Sequence, residues 1–300
     1  MKKTIIAASI AAVVAAPAAF ADLKISGQIN AMVEFNDTGD NSMDENSDVA
    51  FSGSEDLGNG MKAFFKIATS PDGAVAGATT GAQLGEDDRY IGLSGDFGKV
   101  MLGRYEQLIT AKGTDMANGL ASFEDLSVEQ TSDGGNRGNA GIRYTSPNFN
   151  GITVAVGGFM NGTDGEAENT TKDMDTTEAM IQYSNAGLTV RYVDHGSDVA
   201  GDDADLLGVS YAMGDLTVAV TKLDSSTNSE DATIVGASYK MGANKIAAAW
   251  VADHGSTAKE GDYVITAKHS LSKSTTVGIG HEGDDTGNNS STGVFVQHKF

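Results

Sequence analysis

From residue 23 onward the chain alternates. Leu23, Ile25, Gly27, Ile29, Ala31, Val33 and Phe35 share one parity; Lys24, Ser26, Gln28, Asn30 and Glu34 share the other. A period of two places the two sets on opposite faces of a β-strand. This run is longer than most globular strands and about as long as a tilted strand that crosses a bilayer. Similar runs follow in pairs across short breaks: Asp48–Glu55 with Met61–Thr69, Arg89–Ser94 with Lys99–Tyr105, Ala140–Ser146 with Ile152–Met160, and Glu178–Tyr183 with Leu188–Asp194. Leu206–Ala212 pairs with Leu216–Lys222, Thr233–Lys240 with Lys245–Ala252, and Tyr263–His269 with Thr275–Glu282, before a last run at Gly293–Phe300. About sixteen strands result, an even number, as a bacterial outer-membrane barrel requires.

The connections alternate too. Tight turns are followed by longer polar segments: Asn36–Ser47, Ser70–Asp88, Gln107–Asn136, Asn161–Thr176, His195–Asp205, Asp224–Asp231, Asp253–Asp262 and Gly283–Ser291. Short turns at one end and long loops at the other are the layout of a membrane barrel, turns periplasmic and loops external. The expected fold is therefore all-β: a sixteen-stranded antiparallel transmembrane β-barrel over residues 22–300. Its third and longest connection, Gln107–Asn136, carries Asp115, Glu124, Asp125, Glu129 and Asp133 against Lys112 alone. A structureless loop of that length inside a regular domain is usually functional. It is expected to fold inward and constrict the lumen; a mobile surface loop is the competing reading.

Cost decides which face meets lipid. A Lys or Arg on the lipid face at mid-membrane costs roughly 2–4 kcal/mol. Lys62 and Lys66 oppose Met61, Ala63, Phe65 and Ile67 in parity, Arg143 opposes Ile142 and Tyr144, and Arg191 opposes Val190 and Tyr192. All four cations are expected in the lumen. Arg104 shares the parity of Val100 and Leu102, so pointing it inward needs a bulge, expected at Gly103.

Composition agrees with many turns and short strands: 38 glycines, 3 prolines and no cysteine in 300 residues. The formal charge of −21 argues against a nucleic-acid binder, which needs a basic face, and suits a surface that attracts cations. Met1–Ala21 reads as a signal peptide, with Lys2 and Lys3, an apolar stretch, and Ala19-Phe20-Ala21 as the cleavage site. The mature chain then begins at Asp22 and is exported. It ends on an alternating strand with a terminal aromatic, Phe300, which resembles the signal read by the outer-membrane assembly machinery and would close the barrel against its first strand. His195, His254, His269, His281 and His298 form no metal-ligand pattern, no nucleophile motif is present, and neither enzyme activity nor a metal or cofactor is expected.

The phrases DRYIGLSGDFGKVMLGRYE, Thr114-Asp115-Met116 and RGNAGIRYTSPNFNG make the mature chain resemble the general (non-specific) porins of Gram-negative bacteria. The resemblance implies a homotrimer in the outer membrane, among lipid and lipopolysaccharide, with small hydrophilic solutes crossing between acidic residues of the third loop and basic residues of the wall. Arg104 and Arg137 match wall arginines, and Asp115 matches a loop acid. Glu124 and Asp125 stand in for an absent Pro-Glu-Phe. Gln28 replaces a lysine, and Asp48 falls near an arginine position. With Arg143 on the wall, these eight are the expected constriction. An acidic loop with a wall poor in cations predicts cation preference. A substrate-selective channel, for example for sugars, is the alternative and needs an aromatic track along the lumen, for which Phe64 and Phe159 are the main candidates.

Overall fold

The computed structural model describes residues 23–70, 87–110, 116–122, 137–160, 174–198, 203–226, 231–255, 260–284 and 290–300. The expected signal peptide and parts of the expected long loops lie outside these. The strands are β1 (Lys24–Asn36), β2 (Ser42–Gly58), β3 (Met61–Thr69), β4 (Arg89–Gly95), β5 (Gly98–Glu106), β6 (Arg137–Thr145), β7 (Ile152–Phe159) and β8 (Thr176–Asn185). They continue with β9 (Leu188–Ser197), β10 (Ala204–Met213), β11 (Leu216–Ser225), β12 (Ala232–Met241), β13 (Asn244–His254), β14 (Tyr263–Ser270), β15 (Thr275–Gly283) and β16 (Ser290–Lys299). Each pairs antiparallel with its sequence neighbours, and β1 pairs with β16, so the sheet closes into a barrel with no free edge. At the seam the Phe300 N–H donates to the Gly27 carbonyl at 3.0 Å and the Gly27 N–H donates to the Phe300 carbonyl at 3.1 Å.

Alternation decides which side chains face out. On β1, Ile25, Ile29, Val33 and Phe35 are exposed while Asn30 and Met32 are buried. Ile91, Ile142, Ile181, Ile246 and Ile279 continue the exposed apolar face around the ring. A face of this kind is stable only against lipid. At the turn end, Phe97, Tyr144, Phe149, Tyr183, Tyr211, Tyr239 and Phe300 are all exposed. Aromatic rings gathered near the turns suit the girdle of a membrane barrel at the headgroup layer. The turns themselves follow from local chemistry. Between β2 and β3, Asn59 (φ 52°) and Gly60 (φ 76°) supply the two positive φ angles that a type I′ hairpin turn needs.

Several strands run further toward the loop end than hydrophobic alternation predicts. β2 begins at Ser42, where the sequence reads as loop up to Ser47, and it pairs with β1 from Glu34↔Ser42 through Gln28↔Asp48. β6 begins at Arg137 rather than Ala140, and β16 at Ser290 rather than Gly293. Apart from Met43, these extensions are polar on both faces. Backbone pairing carries them beyond the apolar band, and no alternation marks them.

Candidate functional site

The chain leaving β5 turns into the barrel. Leu108 and Ile109 are buried against Ala155, Val193, Ala204, Leu206 and Leu223 on the inner wall of β7–β11. Further on, Met116, Ala117 and a single helical turn, α1 (Asn118–Ala121), lie on the inner faces of β12, β13 and β14, packed on Ala219, Ile234, Ala247, Ala249, Val264 and Phe295. The apolar core thus lies inside the ring, between wall and loop.

Polar ties hold the described parts of the loop at its root and around α1. Near its tip the Ala117 N–H donates to Thr221 Oγ1 at 3.2 Å, Lys245 Nζ to the Leu120 carbonyl at 2.7 Å, Thr266 Oγ1 to the Ala121 carbonyl at 2.8 Å, and Lys268 Nζ to the Ser122 carbonyl at 3.0 Å. Two ammonium groups thus meet the unsatisfied, partly negative carbonyls at the C-terminal end of α1. At the loop's root, Arg143 Nε and Nη2 donate to the Glu178 carboxylate at 2.5 and 2.9 Å, and the Leu108 N–H donates to its Oε2 at 2.8 Å. Arg143 Nη2 also reaches the Glu106 carbonyl at 2.8 Å.

What remains open is a hydrophilic cavity of about 1320 Å³ between α1 and the wall of β1–β3. Asn118, Gly119, Leu120 and Ser122 line one side; Gln28, Asp48, Lys66, Asp87, Asp88 and Arg137 line the other. Gln28 and Asp48 are direct cross-strand partners. Lys66 Nζ lies 2.6 Å from Asp88, and Arg137 lies 3.5 Å from Asp87 and 3.7 Å from Asp88. Lys240, Lys245, Lys268 and Lys299 complete the charged lining toward the turn end.

A closed ring of outward-apolar strands, narrowed by its own loop, is the architecture of a membrane pore. A sequence profile described as Gram-negative porin matches residues 7–289. The chain belongs to the Gram-negative porins. This porin is similar to the major outer membrane protein P.IB of Neisseria meningitidis serogroup B, 32% identical over 206 residues, 64% of this chain and 58% of that protein. It is also similar to P.IB of Neisseria lactamica, 30% identical over 228 residues, 70% of this chain and 65% of that one. The porin thus spans less than two thirds of the length of these relatives. Its backbone resembles that of an engineered triple mutant of the Rhodopseudomonas blastica porin, with a TM-score of 0.76 at 14% identity, covering 93% of this chain and 100% of the other. At that identity the likeness is one of fold. The porin resides in the outer membrane, as the family and the named relatives do.

Of the eight residues expected at the constriction, Gln28, Asp48 and Arg137 line the cavity. Asp115, Glu124 and Asp125 lie outside the described residues. Arg104 and Arg143 are not among the lining residues. Arg143 is committed to Glu178 and stacks over Tyr105 at 4.5 Å. Arg104 is buried and donates to the Asp87 carbonyl at 3.1 Å and to Asn139 Oδ1 at 3.0 Å. The irregularity that its parity calls for falls at Gly103, where φ is 136°, and the partner strand supplies the extra residue. Register shifts between Gly103↔Gly141 and Tyr105↔Gly138, so β6 carries the extra residue, at Asn139–Ala140, where Ala140 has φ 49°.

Reading the wall as poor in cations overlooks the four lysines of β12–β16. Lys245 shares the parity of Ala247 and Ala249, both buried inside, so its direction was available in the alternation. The expected aromatic pair is part of a packed row. Phe64 meets Tyr90 at 6.3 Å, Tyr90 meets Tyr105 at 6.4 Å, and Tyr105 meets Phe159 at 5.0 Å between ring centres. Phe159 and Tyr105 are fully buried and fill the space above Gly138 and Gly141.

Proposed function

We propose that this porin is a water-filled channel through which small hydrophilic solutes and ions diffuse passively, with a preference for cations. The observation that carries the reading is the loop seated against β7–β14, which leaves a charged, hydrophilic passage between α1 and β1–β3. The described lining carries six cationic and four acidic side chains, a surplus of two positive charges. Lys66, Arg137, Lys240, Lys245, Lys268 and Lys299 face Asp48, Asp87, Asp88 and Glu106. Lys66 and Arg137 sit beside Asp87 and Asp88, and Lys245 and Lys268 are turned to loop carbonyls. The reading assigns the five acids of residues 107–136, with Lys112 alone opposing them, to the lumen, where they outweigh the two surplus positive charges of the wall. One uncompensated charge 4 Å from a permeating ion is worth about 1 kcal/mol even at bulk dielectric, about five-fold in local ion concentration. A sugar-selective channel is disfavoured because two of the four rings in the lumen row are closed to solvent.

The same reading takes residues 1–21 as a leader removed on export, the C-terminal strand as the address for the assembly machinery, and a homotrimer among lipopolysaccharide as the working form. Planar-bilayer recording of the refolded protein under a KCl gradient is the test. Conductance in steps of three with a cation-biased reversal potential is the expected result. Anion bias would remove the selectivity argument, and a correctly folded barrel without conductance would remove the channel itself. Mass spectrometry of protein from outer membranes should find Asp22 at the N-terminus.

A further inference from the structure

One wall position under the loop has no side chain. Gly236 on β12 lies between Ala219 on β11 and Ala249 on β13 in the cross-strand register, and both alanines are buried beneath the loop. A Cβ built on Gly236 would stand 2.3 Å from the Ala117 carbonyl oxygen, 2.9 Å from its carbonyl carbon and 3.1 Å from its Cα. Gly236 does not have a positive φ, so its backbone does not call for glycine. What calls for glycine is the approach of another chain.

The atoms it meets are main chain, so no rotamer change relieves the contact. They belong to the residue just before α1, the residue whose N–H is held by Thr221. The far side of α1, at Asn118, Gly119 and Leu120, faces the open passage. We infer that Gly236 is a positioning residue for permeation: its missing side chain sets how far α1 stands from the wall, and through α1 how wide the passage to β1–β3 is. The inference rests on the diffusion-channel reading above. Ordinary carbon contacts lie at about 3.5–4.0 Å, so even a methyl group at 236 pushes Ala117 away from the wall by more than an ångström, toward the passage that α1 borders.

The test compares the parent with Gly236→Ala, Gly236→Val and Val235→Ile, the last adding bulk on the lipid side of the same strand, where Val235 is exposed. Single-channel conductance in KCl and the urea midpoint of the refolded barrel are both recorded. The expected result is a graded fall, about 1.2-fold for Ala and about 1.5-fold or more for Val given contacts of that size, with Val235→Ile at the parental value. Barrel stability is expected to change much less than conductance. Parental or increased conductance in both Gly236 variants, with the parent conducting, overturns the inference and leaves the channel standing; a folded parent that does not conduct overturns both. Should a Gly236 variant fail to refold, Thr221→Val and Thr221→Ser probe the same seat without adding bulk. Thr221→Val removes the acceptor for Ala117 and is expected to alter conductance, while Thr221→Ser keeps it. Identical conductance in the two overturns the inference.

Discussion

Glu178 has no exposed side-chain surface, and Arg143, its partner at 2.5 Å, has 11%. Glu178 joins the wall at β8 to the first residues of the loop, through the Leu108 N–H. A buried pair of this kind adds little over an apolar replacement, but losing one member leaves a charge without compensation. Glu178→Ala is therefore expected to destabilise the barrel by about 3–5 kcal/mol, read as a lower urea midpoint at unchanged slope, and to increase open-channel noise as the loop root loosens. The double change Arg143→Met with Glu178→Met is expected to recover most of the stability and none of the quiet conductance. Equal stability losses in the single and double variants would show that the loss does not come from an unpaired charge, and parental noise in both would show that the pair does not anchor the loop.

The turn between β8 and β9 carries a strain that substitution can relieve. Ala186 has φ 48° and Gly187 φ 86°. The left-handed region costs a residue with a Cβ roughly 1–2 kcal/mol, and asparagine tolerates it better than alanine. Ala186→Asn is expected to raise stability by about 0.5–1 kcal/mol, measured as a shift in urea midpoint. Gly187→Ala should do the reverse, since its Cβ would also lie 2.5 Å from the Ala212 carbonyl oxygen. No difference between the two variants would count against the turn assignment.

The barrel was legible in the sequence because lipid enforces a strict rule. Every second residue of β1, from Ile25 to Phe35, had to be apolar or small, and the rule stops where the membrane stops. This is why Ser42–Ser47 reads as loop although it pairs with β1: nothing outside the bilayer makes polar residues alternate. The loop's inward course was readable from its length and charge. Its seat was not, because the seat is built from Thr221, Gly236, Thr266 and lysines spaced over four strands, each ordinary by itself. Arg143 shows the opposite limit. Parity gave its direction correctly, and only the position of Glu178 across the sheet assigns it to the loop root rather than to the passage.

The seam makes a prediction about closure. Phe300 exchanges two backbone hydrogen bonds with Gly27, worth about 1 kcal/mol each. Removing Phe300 is expected to lower the heat-modifiable, folded fraction on a gel and to leave conductance of the surviving barrels unchanged. Gly27→Val should be more severe, because a Cβ there would lie 2.2 Å from the Asp48 carbonyl oxygen and 2.8 Å from the Phe300 ring. Wild-type folding yield for both variants would mean that β1 and β16 close without this contact.

Selectivity can be divided between loop and wall. If the loop acids outweigh the cationic surplus of the wall, Asp115→Asn, Glu124→Gln and Asp125→Asn together should move the reversal potential toward anions. Asp48→Asn alone should move it less, since one carboxylate among four lining acids changes the local field by a fraction. Lys240→Met with Lys299→Met should move it the other way, toward cations, without touching the loop, because neither lysine ties the loop as Lys245 and Lys268 do. Raising the salt should shrink every one of these shifts, since the Debye length falls from about 10 Å at 0.1 M to about 3 Å at 1 M. If the triple loop variant keeps the parental reversal potential at low salt while the lysine pair shifts it, selectivity belongs to the wall and the loop acts only as a sieve.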